Sequence, residues 1–336
     1  MTGTQPKLTS TEIAMLWTGY MNNSMSIQIM SYFLKTVEDP DIEPIVSQTL
    51  NMSTQNLNTI TEFFNEAHIT IPYGFSTQDV NLDAPKLYSD NFMLSYISNM
   101  AKVGILEYGL SKTFSPRQDI RAFFSQCLSS TSNLFDTCVE TEQNKGLYIR
   151  APYLWPQYGA EFIQGKGYLK GMNPFSDKRK INFIEISHVY ANVQTNLIGM
   201  QLCRSFEQTT SSNEIKNYMK RGREISKKHI KIFSDTLLND GIQSPITWDT
   251  AVTTSTISPF SDKLKMYIIG VLSASGKGNY STAATASMRT DLILNYQRLS
   301  AEIGLYAKDG GKIMINNHWM EEPPEPIDLD NIPNRN

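Results

Sequence analysis

An all-helical fold, two tandem four-helix bundles produced by an internal duplication, follows from three features of this 336-residue chain. The first is a repeat. Shifting the stretch from Ser89 to Asp119 by 172 residues lands on Ser261 to Asp291, so that Ser89, Asp90, Ile97, Gly104, Tyr108, Thr113, Ser115, Arg117 and Asp119 face Ser261, Asp262, Ile269, Gly276, Tyr280, Thr285, Ser287, Arg289 and Asp291. A repeat this long is a duplicated domain, not a solenoid unit. The second feature is the helical period of the apolar residues. The third is punctuation: each half carries one long Pro-containing crossover, and a Gly/Pro-rich stretch separates the halves.

The first helix starts near Thr11 and carries Ile13, Trp17, Tyr20, Ile27 and Leu34 on one stripe; it should stop before Pro40, because a residue preceding proline disfavours the helical region. A second runs from about Ile42 to Ala67. The segment ITIPYGFSTQDVNLDAPKLY is long for a helix–helix turn, so it crosses the bundle. Two more helices cover about Ser89–Lys112 and Pro116–Lys145. Ser115, Pro116 and Gln118 read as an N-cap, a helix-starting proline and a capping box, with Ser287 in the same cap position. Gly104 and Gly276, inside helical pattern, suggest close helix approach, since glycine there costs about 1 kcal/mol against alanine.

Two helices, a long crossover and two more helices make a bundle of ferritin-like connectivity. Bundle 1 spans residues 1–146. The aromatic, Gly- and Pro-rich connector 147–180 is expected to lie as an apron over the bundle ends. Bundle 2 spans 181–320 and repeats the first from its start: at an offset of 173, Glu12, Ile13, Asn23, Gln28, Phe33, Thr36, Ile42 and Ser53 meet Glu185, Ile186, Asn196, Gln201, Phe206, Thr209, Ile215 and Ser226. Its helices fall near 182–209, 213–239, 261–280 and 288–309. The acidic, Pro-rich tail 321–336 cannot bury a core.

Net charge is −3, so global electrostatics indicate neither nucleic acid nor membrane. The charge is uneven: bundle 1 carries eight Lys and Arg against fifteen Asp and Glu, the connector six against two, bundle 2 fifteen against eleven, and the tail one against five. The start of the chain lacks a basic region followed by an apolar one, so no signal peptide is expected, and no apolar run approaches the roughly 18–20 residues that span a bilayer. Cys127 and Cys138 lie eleven residues apart on one helix, about 16 Å by helical rise and too far to bridge. With Cys203 they suggest reduced thiols and a cytoplasmic protein.

The blocks VEDPDIEP, VNLDAPKLYSD and SPFSDKLKMY…GNYSTAATASMRTDL resemble a family of unknown function from spore-forming Firmicutes, built of two tandem ferritin-like bundles and loosely similar to the spore coat F proteins. The resemblance covers nearly the whole chain. It implies fold and lineage, and a link to sporulation, but no activity and no functional residues.

A di-iron site in such a bundle needs single Glu residues from two helices and a Glu-x-x-His pair from each of the others. The four histidines are His68, His188, His229 and His318. Bundle 1 holds only His68, with no Glu three residues before it, which excludes the standard site there. Bundle 2 has the pair Glu185 and His188 on its first helix, His229 on an apolar stripe, and Glu302. A mononuclear site for iron or another divalent metal from Glu185, His188, His229 and Glu302 is the alternative to the expected absence of metal and cofactor. GKGN at 276–279 lacks the spacing of a phosphate-binding loop, no nucleophile elbow is present, and no catalytic residue is assigned. Asn23 and Asn196 could fix helix register as buried polar residues do in coiled coils. Fifteen methionines are compatible with a small-ligand cavity between helices, though methionine often only fills gaps in a core.

The reading is a non-enzymatic structural or interaction protein. Its partner surface is one helix face carrying Lys216, Lys220, Arg223, Lys227 and Lys231, spaced four, three, four and four, which could dock an acidic surface of another copy or of a separate protein. Nucleic acid is not expected, since no aromatic residues interleave with these cations.

Overall fold

Eight long helices carry the fold in the computed structural model, which describes residues 6–171, 178–246 and 251–326. They are α1 (Ser10–Thr36), α2 (Glu43–Glu66), α3 (Asp90–Thr113), α4 (Gln118–Asn144), α5 (Phe183–Thr209), α6 (Asn213–Asn239), α7 (Asp262–Ala286) and α8 (Thr290–Asn316). Consecutive helices pair as α1–α2, α3–α4, α5–α6 and α7–α8, and contacts such as α2–α4 and α5–α7 close each set of four into a bundle. The last two helices run past their expected ends. In α7 the Ser281, Thr282 and Thr285 hydroxyls donate to carbonyls four residues back, so the polar STAATA stretch stays helical.

Helix starts repeat in both halves. Thr9 and Asn182 cap α1 and α5 with complete capping boxes closed by Glu12 and Glu185. Ser89 and Ser261 cap α3 and α7, accepting from the Phe92 and Leu264 amides at 3.2 and 3.1 Å. The expectation for Ser115 and Ser287 is corrected: they do not cap α4 and α8. Those helices begin behind Arg117 and Arg289, with no side-chain cap of their own. The buried Ser115 and Ser287 hydroxyls instead donate back to the Ser111 and Ala283 carbonyls, each at 2.7 Å. A carboxylate from the first helix of the same bundle serves the helix start: Glu12 accepts from the Arg117 amide at 2.8 Å, and Glu185 from the Met288 and Arg289 amides at 3.0 Å. A charged acceptor makes the stronger bond, so the local hydroxyl is free to turn away. Ser89→Ala should cost about 1 kcal/mol in urea titration. Ser261→Ala should cost more, because its hydroxyl also donates to Asp79 at 2.7 Å. Unchanged midpoints for both would refute the capping.

Two of the four histidines have a backbone role. His68 and His318 hold φ of 56° and 57° just past α2 and α8, and their repeat partners are the glycines Gly241 (φ 77°) and Gly146 (φ 68°). These are left-handed helix ends, where glycine is the usual occupant. The close approach expected at both repeated glycines exists at one. A Cβ on Gly104 would sit 3.1 Å from Thr131 Cγ2, whereas one on Gly276 would meet Ile303 at an ordinary 3.7 Å.

The two crossovers pair with each other. Val80 bridges Phe260 and Tyr88 bridges Val252, both antiparallel. The Ser89 amide donates to Ala251 at 3.1 Å and the Ser261 amide to Asp79 at 2.9 Å; likewise Asn81 donates to Pro259 and Thr253 to Leu87, both at 2.8 Å. Each bond of one crossover has its counterpart 172 residues away, so the halves meet about a pseudo-twofold axis. Aromatic residues fill the join: Phe33 packs edge-on to Tyr88, and its repeat partner Phe206 edge-on to Phe260. The largest apolar core therefore runs through both bundles, with one smaller core at the outer part of each.

The connector departs from the apron that its composition suggests. Leu147, Ile149 and Leu154 do pack on the cores. Tyr153, Trp155, Tyr158 and Phe162 stand 74%, 82%, 94% and 92% exposed. Alternate side chains of an extended segment point to opposite sides, so Leu154 packs between the outward Tyr153 and Trp155, whereas from 155 to 167 every residue is exposed and nothing holds the segment down. Residues 172–177 of the connector and 327–336 of the tail lie outside the described residues.

Candidate functional site: the polar centre of each bundle

Each bundle has a polar centre between its helices, built on residues that the duplication kept. In bundle 1, Asn23 of α1 donates to the Gly19 carbonyl at 2.7 Å and to the Tyr108 hydroxyl at 3.3 Å. Asn56 of α2 donates to Asn23 Oδ1 at 3.3 Å and to Tyr108 Oη at 3.5 Å, and Cys127 of α4 donates to Asn56 Oδ1 at 3.4 Å. In bundle 2, Asn196 donates to the Tyr280 hydroxyl at 2.7 Å. The place of Asn56 is taken by His229, whose Nδ1 lies 2.9 Å from Tyr280 Oη and whose Nε2 lies 3.0 Å from Glu302.

The chemistry of this second centre is settled by its partners. Burial holds the His229 imidazole below its ordinary pKa against the pull of Glu302. Burial would raise the Glu302 carboxyl, but Lys228, at 2.8 Å, and His229 hold it below its ordinary value. The carboxylate assigns the His229 proton to Nε2, leaving Nδ1 to accept from Tyr280, which in turn accepts from Asn196. Every donor then has an acceptor, and neither ring nitrogen remains for a substrate. Burial pushes the Cys127, Cys138 and Cys203 thiols up to about 12, which holds them in the protonated, less reactive form.

Of the four candidate metal ligands, the structure brings two together, His229 and Glu302. Glu185 sits at the start of α5, where it is fully buried and bound by Arg179 and by backbone amides. That is eleven residues from Asn196 on the same helix, about 16 Å by helical rise. His188, half-buried on α5, lies only one turn further in. No group of three or more His, Cys, Asp or Glu positioned for a metal occurs among the described residues. Glu12 and Glu185 recur because both halves need a buried carboxylate at the α1–α4 and α5–α8 joints. Sequence reasoning singled out Asn23, Asn196, Tyr108 and Tyr280 separately; their pairing, and Asn56, it missed. Joint retention of one Asn and one Tyr in both repeats was the available signal.

On the predicted basic face, Lys216, Lys220 and Lys227 are exposed and make no ion pair among the described residues. Arg223 is half-buried against Glu207 at 2.9 Å, and Lys231 pairs with Asp235 at 2.8 Å. Among the described residues, no helix is long and apolar enough to cross a membrane.

A family model described as "Protein of unknown function (DUF3231)" matches residues 1–157 and again 169–332, so its two matches fall on the two bundles. No curated protein matches the chain. Among solved structures, a "putative spore coat protein" from Bacillus halodurans C-125 is 18% identical, covers 45% of this chain and 98% of its own, and superposes with a TM-score of 0.41.

Proposed function

The chain belongs to the DUF3231 family, and from its own geometry we propose that it is a non-enzymatic structural or interaction protein that docks an acidic protein surface. One observation carries this reading: Tyr153, Trp155, Tyr158 and Phe162 are exposed together in a connector that carries six Lys and Arg against two Asp and Glu. Tyr153 and Trp155 meet edge-on at 5.3 Å; several exposed aromatics on one short segment suit an interaction surface, and aromatic anchors with nearby cations suit an apolar, acid-rimmed partner. Lys216, Lys220 and Lys227 on α6 supply further unpaired positive charge. The self-satisfied polar centre of bundle 2 supports the absence of catalysis there. The sporulation link rests on the sequence resemblance, and detection of the protein in sporulating cells and coat extracts is its check.

The partner is either a second copy or a separate protein. Sedimentation at low and high salt and recovery of cross-linked partners from cells distinguish these. Trp155→Ser with Tyr158→Ser and Phe162→Ser should abolish either association. Lys216→Glu with Lys220→Glu and Lys227→Glu should weaken it mainly at low salt, because exposed charges are screened beyond about 8 Å at physiological ionic strength. Unchanged association in both variants sinks the proposal.

The 3.0 Å contact of His229 with Glu302 favours a second reading, a metal-binding protein with a degenerate ferritin-like site in bundle 2. Elemental analysis after purification without metal-affinity steps is expected to find no stoichiometric iron, manganese or zinc. Near one equivalent, lost on His229→Ala, would establish this second reading instead.

A further inference from the structure

The polar centre of bundle 1 opens onto a cavity of about 130 Å³, against about 60 Å³ at the equivalent place in bundle 2. The difference has identifiable causes. Where bundle 2 has Tyr306, the repeat partner in bundle 1 is Leu134, and where it has Tyr218 the partner is Ile45. The two tyrosine rings stack at 4.3 Å and fill bundle 2. The bundle 1 cavity is lined mainly by apolar surface, including the flexible Met25, Met52 and Met100 and the small Ala101, with polar groups among which are Asn23, Asn56 and Tyr108. Methionine adapts its shape to an occupant.

Hydrogen-bond arithmetic then gives the cavity a preference. The 2.7 Å bond to Gly19 fixes the Asn23 amide nitrogen, so Asn23 Oδ1 faces Asn56, which must offer its own nitrogen. Both amides thus present N–H groups to Tyr108 Oη. In bundle 2 the equivalent hydroxyl donates its proton to His229, but Asn56 leaves the Tyr108 proton no acceptor among the described residues. Tyr108 is half-buried, with its hydroxyl turned into the bundle against Asn23 and Asn56, and a donor held there without a partner is costly.

We propose that this cavity is a binding site for a small, mainly apolar molecule carrying one hydrogen-bond-accepting oxygen, which takes the Tyr108 proton. An apolar cavity of about 150 Å³ accommodates benzene, so the ligand is of monocyclic size. The site goes beyond the docking function and does not depend on it.

Cyclohexanone and methylenecyclohexane, alike in shape but differing in the acceptor, are the probes. Each is titrated into the full chain and followed by thermal shift and by methionine methyl resonances. Both should bind saturably and shift the bundle 1 methionines. Tyr108→Phe should weaken cyclohexanone about three- to tenfold, the range of one net hydrogen bond, and leave methylenecyclohexane unchanged. Ala101→Met, which fills the cavity, should abolish both; if it does not fold, Met52→Phe serves the same purpose. Absence of saturable binding to the wild-type chain, or binding that survives a folded cavity-filling variant, overturns the site. Equal affinity of cyclohexanone for wild type and Tyr108→Phe overturns the acceptor class.

Discussion

Glu185→Ala should destabilise the protein by about 3–5 kcal/mol, the cost of breaking a buried ion pair on one side. Its carboxylate is fully buried and accepts five bonds. Arg179 grips both oxygens at 2.7 and 2.8 Å, and the Asn182, Met288 and Arg289 amides each donate at 3.0 Å. Removing it strands the guanidinium and leaves the first amides of α5 and α8 without an acceptor. Glu12→Ala should cost less, because among the described residues Glu12 is bound by Thr9 and the Arg117 amide and makes no ion pair.

The same carboxylate sets a pH dependence. Burial opposes its ionisation, but Arg179 and the three amides outweigh burial and hold the Glu185 pKa at about 2, against an ordinary 4.5. The folded value is depressed, so the stabilisation is complete above the unfolded pKa and is lost as pH falls from about 4.5 to about 2. At roughly 1.4 kcal/mol per pKa unit the contribution is about 3 kcal/mol. Urea titrations between pH 7 and pH 2.5 should therefore show a smaller acid-side slope in Glu185→Gln than in wild type. A loss under 1 kcal/mol for Glu185→Ala at pH 7, or an identical acid slope, would show that the joint is not held this way.

Gly222→Ala and Gly310→Ala should each cost about 2–3 kcal/mol, as overpacking a filled core does. A Cβ on Gly222 would overlap the Tyr306 hydroxyl, and one on Gly310 the Tyr218 hydroxyl. The two rings lie within 6° of parallel, and each hydroxyl donates to the backbone carbonyl of the other tyrosine at 3.3 Å. Neither ring can therefore swing aside alone. The double variant should lose less than the sum, since both changes strain one stack. Gly270→Ala is the control: it is exposed in α7 with nothing within 4 Å of the added carbon, so helix propensity alone should stabilise it by up to about 1 kcal/mol. Equal urea midpoints for all three variants would refute the clasp.

The sequence by itself determined the helices, their grouping into two bundles and the long crossovers, because period, proline and repeat register are local or self-similar signals. It also marked Glu12 and Glu185, Asn23 and Asn196, and Tyr108 and Tyr280 as residues that both halves retain. Only the tertiary structure decided what those residues touch. Ser115 reads locally as a helix cap, yet a carboxylate supplied by α1 does that work, and no local pattern encodes a partner 105 residues away. Glu185 and His188 share a helix turn, yet the turn lies at the end of the bundle, far from His229, because depth along a helix is set by packing and not by spacing within a motif. The pairing of the crossovers, the exposed connector rings and the unequal cavities likewise depend on how one helix is rotated and shifted against another. That rotation is chosen by the sum of many weak apolar contacts across distant segments, a sum that takes definite form only when the bundles close.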